Sequence, residues 1–155
     1  MKIPNKYTKT ILEFKKLIEI MQRLRGPNGC PWDKRQNHKS LLPYLFEEAD
    51  EFKLAVKNKD LENMKEELGD VLLQVMFHSQ IANENRHFSI ADVISEINRK
   101  LIRRHPHVFG KNKLSNPQQV IKQWNKIKEL EKQNSKRSQN TESRIQKNGK
   151  FYKKQ

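Results

Sequence analysis

Apolar residues recur at every third or fourth position through five successive stretches of the chain, and nowhere do they alternate with polar ones. That period belongs to α-helices; a sheet with one buried face needs a period of two. The first stretch holds Ile11, Phe14, Leu17, Ile18, Met21 and Leu24, which predicts a helix over 8–25 stopped by Gly26-Pro27-Asn28-Gly29. Cys30-Pro31-Trp32-Asp33 then reads as irregular loop. A second helix is expected from Ser40 as N-cap, through Leu41, Leu42, Leu45, Ala49, Phe52 and Val56. Asn58-Lys59-Asp60 breaks it, and Asp60 is placed to cap a third, most apolar helix with Met64, Leu68, Val71, Leu72, Val75, Met76 and Ile81. Ser89 is expected to cap a fourth over 90–104, which Pro106 ends, and Pro117 opens a fifth through Val120, Ile121, Trp124, Ile127 and Leu130. Hairpin turns and internal repeats are absent, so the expected class is all-α, an antiparallel helical bundle.

The hydrophobic period stops near residue 133, which divides the 155 residues into an expected domain over 8–133 and a basic, disordered tail over 134–155. The 32 Lys and Arg against 18 Asp and Glu give a formal net charge of +14. Its distribution matters more than its sum. Residues 134–155 hold seven Lys or Arg against one Glu, whereas 47–70 hold nine acids and four Lys. A nucleic-acid-binding module would gather its basic residues on an ordered face. Here the densest basic run lies in the tail, so at most weak, non-specific contact with nucleic acid is expected, and Lys- and Asn-richness equally reflects codon supply in an A+T-biased genome. The single Cys30 excludes an internal disulfide framework and a cysteine zinc site. No run of apolar residues is long enough for a membrane span, and MKIPNKYTKTILEF lacks the apolar core of a secretory signal. A cytoplasmic protein with no membrane association is therefore expected. With only five Gly, a glycine-rich phosphate loop is not found.

Two carboxylate clusters carry the chemical signal: Glu47-Glu48-Ala49-Asp50-Glu51 and Glu66-Glu67-Leu68-Gly69-Asp70. Glu48/Glu51 and Glu67/Asp70 are each three residues apart, so each pair shares one helix face. Counted from Lys59, Glu51 and Glu67 are both eight residues away, and Glu48 and Asp70 both eleven. An antiparallel hairpin folded at Lys59 therefore sets Glu51 against Glu67 and Glu48 against Asp70, at two levels about 4.5 Å apart along the axis. Four anions so close persist only if they point to solvent, hold protons or bind a cation. A solvated acidic face laced with Lys53, Lys57 and Lys65 is one reading; a cation site bordering the core is the other. All-oxygen ligation suits Mg²⁺ or Mn²⁺. A di-iron carboxylate site would need Glu-x-x-His on two helices, and Glu84-Asn85-Arg86-His87 is the single match.

These motifs, together with Cys30-Pro31-Trp32-Asp33, Gln36-Asn37-His38, Ser40-Leu41, Tyr44, the run from Lys100 through Arg103-Arg104-His105-Pro106-His107-Val108-Phe109-Gly110, Trp124 and Lys128, resemble the MazG-type nucleoside triphosphate pyrophosphohydrolases of the all-α NTP pyrophosphatase superfamily. The resemblance covers about residues 10–132. It implies a helical bundle of that type, a homodimer, and Mg²⁺-dependent cleavage of a nucleoside triphosphate to the monophosphate and pyrophosphate, with Mn²⁺ as a substitute and a house-cleaning or pool-control role. By the same analogy Glu48, Glu51, Glu67 and Asp70 are the metal ligands and Glu47 orients or deprotonates the attacking water. Lys100, Arg103 and Arg104 are the phosphate-binding cations, and Trp124 contacts the nucleotide. Trp32, in its loop, is placed to lid the site. Asn37 stands where Thr is usual in the family, and the chain has one copy of a domain that many members carry twice.

Taken alone, several of these residues have structural readings. Basic residues at a helix C-terminus pair with the helix dipole, and Trp124 shares a face with Val120, Ile121 and Ile127. His105 and His107 flank a proline without a third ligand, and His78 sits in an apolar stretch as a core or interface histidine. A helical scaffold without catalysis would tolerate a broken acid set, whereas all four ligand positions are filled here.

Overall fold

The computed structural model describes the backbone of residues 5–111 and 113–149, and the side chains of 6–111 and 113–134. Among the described residues there is no strand, and no helix is long and apolar enough to cross a membrane. The chain is all-α, as the period predicts, and divides into two compact units, 1–94 and 95–155.

In the first unit, a short 3₁₀ turn (Asn5–Tyr7) leads into α1 (Thr8–Arg25). Gly29 closes the following turn: its N–H donates to the Gly26 carbonyl at 3.0 Å, and a Cβ there would sit 2.0 Å from the Leu24 carbonyl oxygen, so only glycine fits. The segment expected to be irregular instead forms one short helix, α2 (Pro31–Arg35), because Pro31 fixes a helical φ where no N–H is needed. Helices α3 (Leu42–Asn58) and α4 (Leu61–Glu84) form the principal packed pair. Lys59 adopts φ 58°, ψ 29°, and its N–H donates to the Ala55 and Val56 carbonyls, capping α3. Asp60 caps α4 by accepting from the Asn63 N–H at 3.1 Å. The joint is therefore two residues long, and α4 must run back along α3.

Ser40 does not cap α3. Leu41 occupies that position without a side-chain cap, while Ser40 closes the preceding turn with Asn37, whose Oδ1 accepts from the Ser40 N–H at 3.0 Å. The buried core is Met21, Leu41, Met76, Phe77 and Ile81, flanked by Phe14, Leu17, Ile18, Leu73 and Ile90. Arg25 adds a polar fastening. Its guanidinium donates to both Glu84 oxygens at 2.8–3.2 Å, to the Gln36 carbonyl at 3.2 Å and to the Asp33 carbonyl. One side chain thus ties the end of α1 to the α2 loop and to the end of α4.

The division falls within α5 (Ile90–Arg104), whose N-terminus is closed by Ser89 donating through N–H and Oγ to Asp92. The second unit continues through α6 (Pro106–Phe109) to α7 (Pro117–Gly149). Pro106 does end α5, but it also starts a further turn of helix as first residue. Helix α7 continues sixteen residues past 133, where the apolar period is lost. Residues 150–155 of the expected tail lie outside the described residues.

Candidate functional site

The α3–α4 hairpin gathers the acids. Ligand oxygens of Glu48, Glu67 and Asp70 lie within 4.8 Å of one another, the one such group of His, Cys, Asp or Glu among the described residues. Glu67 is 8% exposed, and Glu48 and Asp70 are half-buried. Glu51 lies outside that group of three but near enough to act on two of its members. Burial pushes the Glu48 carboxyl up from its ordinary value, and Asp70, Glu51 and Glu47 push it further, against a hydrogen bond from the Gln74 side chain. The Glu67 carboxyl is raised in the same way, by burial first and then by Glu51, Asp70, Glu48 and Glu66. Both shifts have the same two causes, in the same order. Burial penalises the charged form, and the neighbouring acids repel a further negative charge.

This donor set fits a hard divalent cation: carboxylate oxygens from two helices, converging on one point, with no nitrogen or sulfur among them. The Lys residues of the solvated-face reading do not fill the need. Lys53 pairs with Asp50 at 3.2 Å, and Lys65 pairs with Glu62, each on the exposed side of its helix. The di-iron alternative loses its glutamate, because both Glu84 oxygens are taken by Arg25.

Glu47 is exposed beside Glu48. Trp32 is 49% exposed and packs edge-on against Tyr44 (ring centroids 5.8 Å apart) and Phe77 (6.4 Å). His78 is half-buried, with its Nδ1 2.8 Å from Nδ1 of His38. Burial, and then the neighbouring His38, lower its affinity for a second proton.

In the second unit, two of the predicted cations, Arg103 and Arg104, gather on one carboxylate. Arg103 Nε donates to Glu131 Oε1 at 2.6 Å, and Arg104 grips the same carboxylate through Nη2 at 2.6 Å and Nε at 3.1 Å. The Arg104 guanidinium lies 5.6 Å from the centre of the Trp124 ring, against which His105 packs edge-on at 4.7 Å. Lys100 is half-buried one turn earlier on α5. His105 bonds the Leu101 carbonyl at 2.6 Å and His107 bonds Gln123 at 3.2 Å, the structural roles expected of them. The two arginines pull Glu131 down to about 2.

Two residues escape the sequence reading. Gln74 lies four positions after Asp70, on the acid-bearing face of α4, and Glu131 lies seven after Trp124, on that tryptophan's face of α7. Helical spacing marks both positions, but an isolated Gln or Glu has no motif to give it weight.

Residues 36–109 match the MazG nucleotide pyrophosphohydrolase domain. Over 125 residues the chain is 54% identical to the nucleoside triphosphate pyrophosphohydrolase/pyrophosphatase MazG of Thermotoga maritima, covering 81% of this chain and 48% of that one. It is 44% identical over 118 residues to the nucleoside triphosphate pyrophosphohydrolase of Escherichia coli, covering 76% and 45%. The chain thus spans about half the length of these curated relatives. The crystal structure of a mazG-related protein from Thermotoga maritima superposes with a TM-score of 0.62 at 31% identity, covering 74% of this chain and 98% of that one. Matching helices, matching sequence and a hairpin of converging acids agree: the chain belongs to the MazG nucleotide pyrophosphohydrolase domain family.

Proposed function

We propose that this protein hydrolyses nucleoside triphosphates to the monophosphate and pyrophosphate in a Mg²⁺-dependent reaction, Mn²⁺ substituting, and so clears or regulates nucleotides in the cytoplasm. The observation that carries the reading is the convergence of Glu48, Glu67 and Asp70 within 4.8 Å, two of them with raised affinity for protons. Glu48, Glu51, Glu67 and Asp70 would hold the metal. When bound, the ion supplies charge neutralisation at phosphate oxygens and makes nearby water more acidic.

The rest is the work of the chain's own side chains. Glu47, exposed next to the ligands, orients the attacking water and takes its proton. Lys100, Arg103 and Arg104 carry the charge that develops on the leaving pyrophosphate. Trp124 stacks on the base and Trp32 covers the site; stacking alone accepts any base, so base selectivity is loose. We further propose a homodimer. Leu12, Phe46, Leu54, Leu61 and Leu68 are all more than half exposed, an apolar surface that a second copy would bury. Residues 134–155 act as a dispensable basic tail whose contact with nucleic acid is weak and salt-sensitive.

Chromatography of the products from a panel of NTPs and dNTPs, with and without Mg²⁺, tests the activity. AMP with pyrophosphate is expected from ATP; ADP with orthophosphate refutes the reading. Sedimentation at micromolar concentration tests the dimer.

A further inference from the structure

Glu131 belongs to no motif, yet it joins the two arginines assigned above to phosphate. Arg104 is 18% exposed and Glu131 20%, while Arg103, at 50%, reaches the carboxylate from solvent. Arg104 is held on two sides, by a bidentate contact through Nε and Nη2 and by the Trp124 ring beneath it. A guanidinium has five N–H groups. Glu131 engages Nε and one proton of Nη2, and among the described residues no hydrogen bond takes Nη1 or the second Nη2 proton of Arg104, which leaves them for an anion. Arg103 spends only Nε, keeping both of its terminal amines. Two arginines and one glutamate leave a net charge of +1, so the cluster still attracts anions.

We propose that Glu131 is a positioning residue for polyphosphate recognition: it holds Arg104 on the face of Trp124 and draws Arg103 alongside, so that both present donors to one di- or triphosphate. Without it, two like-charged guanidinium groups repel, and the half-exposed Arg103 returns to solvent. Each long side chain must then be ordered again when the anion binds, which weakens binding. The rival role for a carboxylate here is a competitor that the phosphate must displace, and it predicts the opposite sign. The proposal rests on the assignment of Arg103 and Arg104 to phosphate.

The test is calorimetric titration of the full chain, with Mg²⁺, by inorganic tripolyphosphate. Wild type, Glu131→Gln and the exchange variant Arg104→Glu/Glu131→Arg are compared, alongside NTP kinetics. Glu131→Gln should bind tripolyphosphate about tenfold more weakly, with KM for NTP raised about tenfold and kcat within about twofold, because orientation of the ground-state contact is lost. The exchange variant restores an opposite-charge pair, so it should melt like wild type but not recover tripolyphosphate binding, an outcome a merely structural ion pair would not give. Unchanged or tighter binding in folded Glu131→Gln, or no tripolyphosphate binding by wild type, overturns the inference. Wild type that binds tripolyphosphate in a Glu131-dependent way but releases no pyrophosphate removes the proposed activity and supports the inference.

Discussion

Glu67 and Glu131 are both largely buried carboxylates on helix faces, and they titrate in opposite directions. Glu67 is raised by its burial and then by the like charges around it; Glu131 stands between two arginines and is lowered to about 2. Glu84, clasped by Arg25, behaves like Glu131. The difference separates two uses of buried charge. A paired acid has its compensation inside the chain and fastens helices together. A cluster of unpaired acids leaves compensation to something from outside, and natural chains retain such a deficit where a ligand fills it.

The largest effect expected from this contrast is on turnover. Glu67→Ala or Asp70→Ala should lower Mg²⁺-dependent hydrolysis by more than about a hundredfold, with the helical circular dichroism intact, since the proposed site would lose a ligand while repulsion is relieved. Unchanged activity in either variant would place these acids with the solvated charges. At a paired acid the cost falls on stability. Arg25→Ala should destabilise the fold by about 2–3 kcal/mol in denaturant unfolding, because Glu84 loses its partner and two loop carbonyls lose a donor.

The pH dependence sharpens the comparison further. Glu48 and Glu67 are raised in the folded protein, so their contribution to stability is full below the unfolded value of 4.5 and is lost as pH rises through the folded values. Glu131 is lowered, so its contribution is present above 4.5 and is lost as pH falls towards about 2. From pH 8 towards 4.5 Glu48 and Glu67 therefore raise the melting temperature of the metal-free protein, while His78 opposes them below 6.5. Glu67→Gln should remove much of the acids' share, and Glu84 and Glu131 weaken the fold on further acidification. Saturating Mg²⁺ should abolish the gain between pH 8 and 5. Differential scanning at stepped pH, with and without Mg²⁺, reads both limbs; a pH profile identical in wild type and Glu67→Gln would contradict the role given to the acid cluster. The smallest effect is expected at the far end of the chain. Deleting 134–155 should change turnover by less than about twofold, since that segment has too little apolar surface to offset the entropy of packing it.

The acid cluster was legible in the sequence because it depends only on helical period and on one turn. The equal spacing of Glu48 and Asp70 about Lys59 assumes nothing but a tight antiparallel joint, and Lys59 and Asp60 supply it. Less was visible where a single residue decides. A proline reads equally as a helix breaker or as a first helical residue, so α2 and α6 were hidden. The end of α7 was hidden for another reason: the helix runs on past its last periodic apolar residue, so no pattern marks where it stops. Pairings such as Arg25 with Glu84, 59 residues apart, and Arg103 with Glu131, 28 apart, carry no local signature at all.

The two-residue joint at Lys59 also bears on how the molecule assembles. Contacts between α3 and α4 close the shortest loop available to any pair of long helices here, so they form at the lowest entropic cost and early. Loop length alone would bring the acids together before the fastening at Arg25 holds the remaining helices, which predicts that their repulsion weighs on the folding barrier as well as on the finished protein. Refolding should accelerate with ionic strength, and further with a divalent cation, while unfolding changes little. On the proposed reading, a metal held by these acids would also help the chain to reach the geometry that holds it.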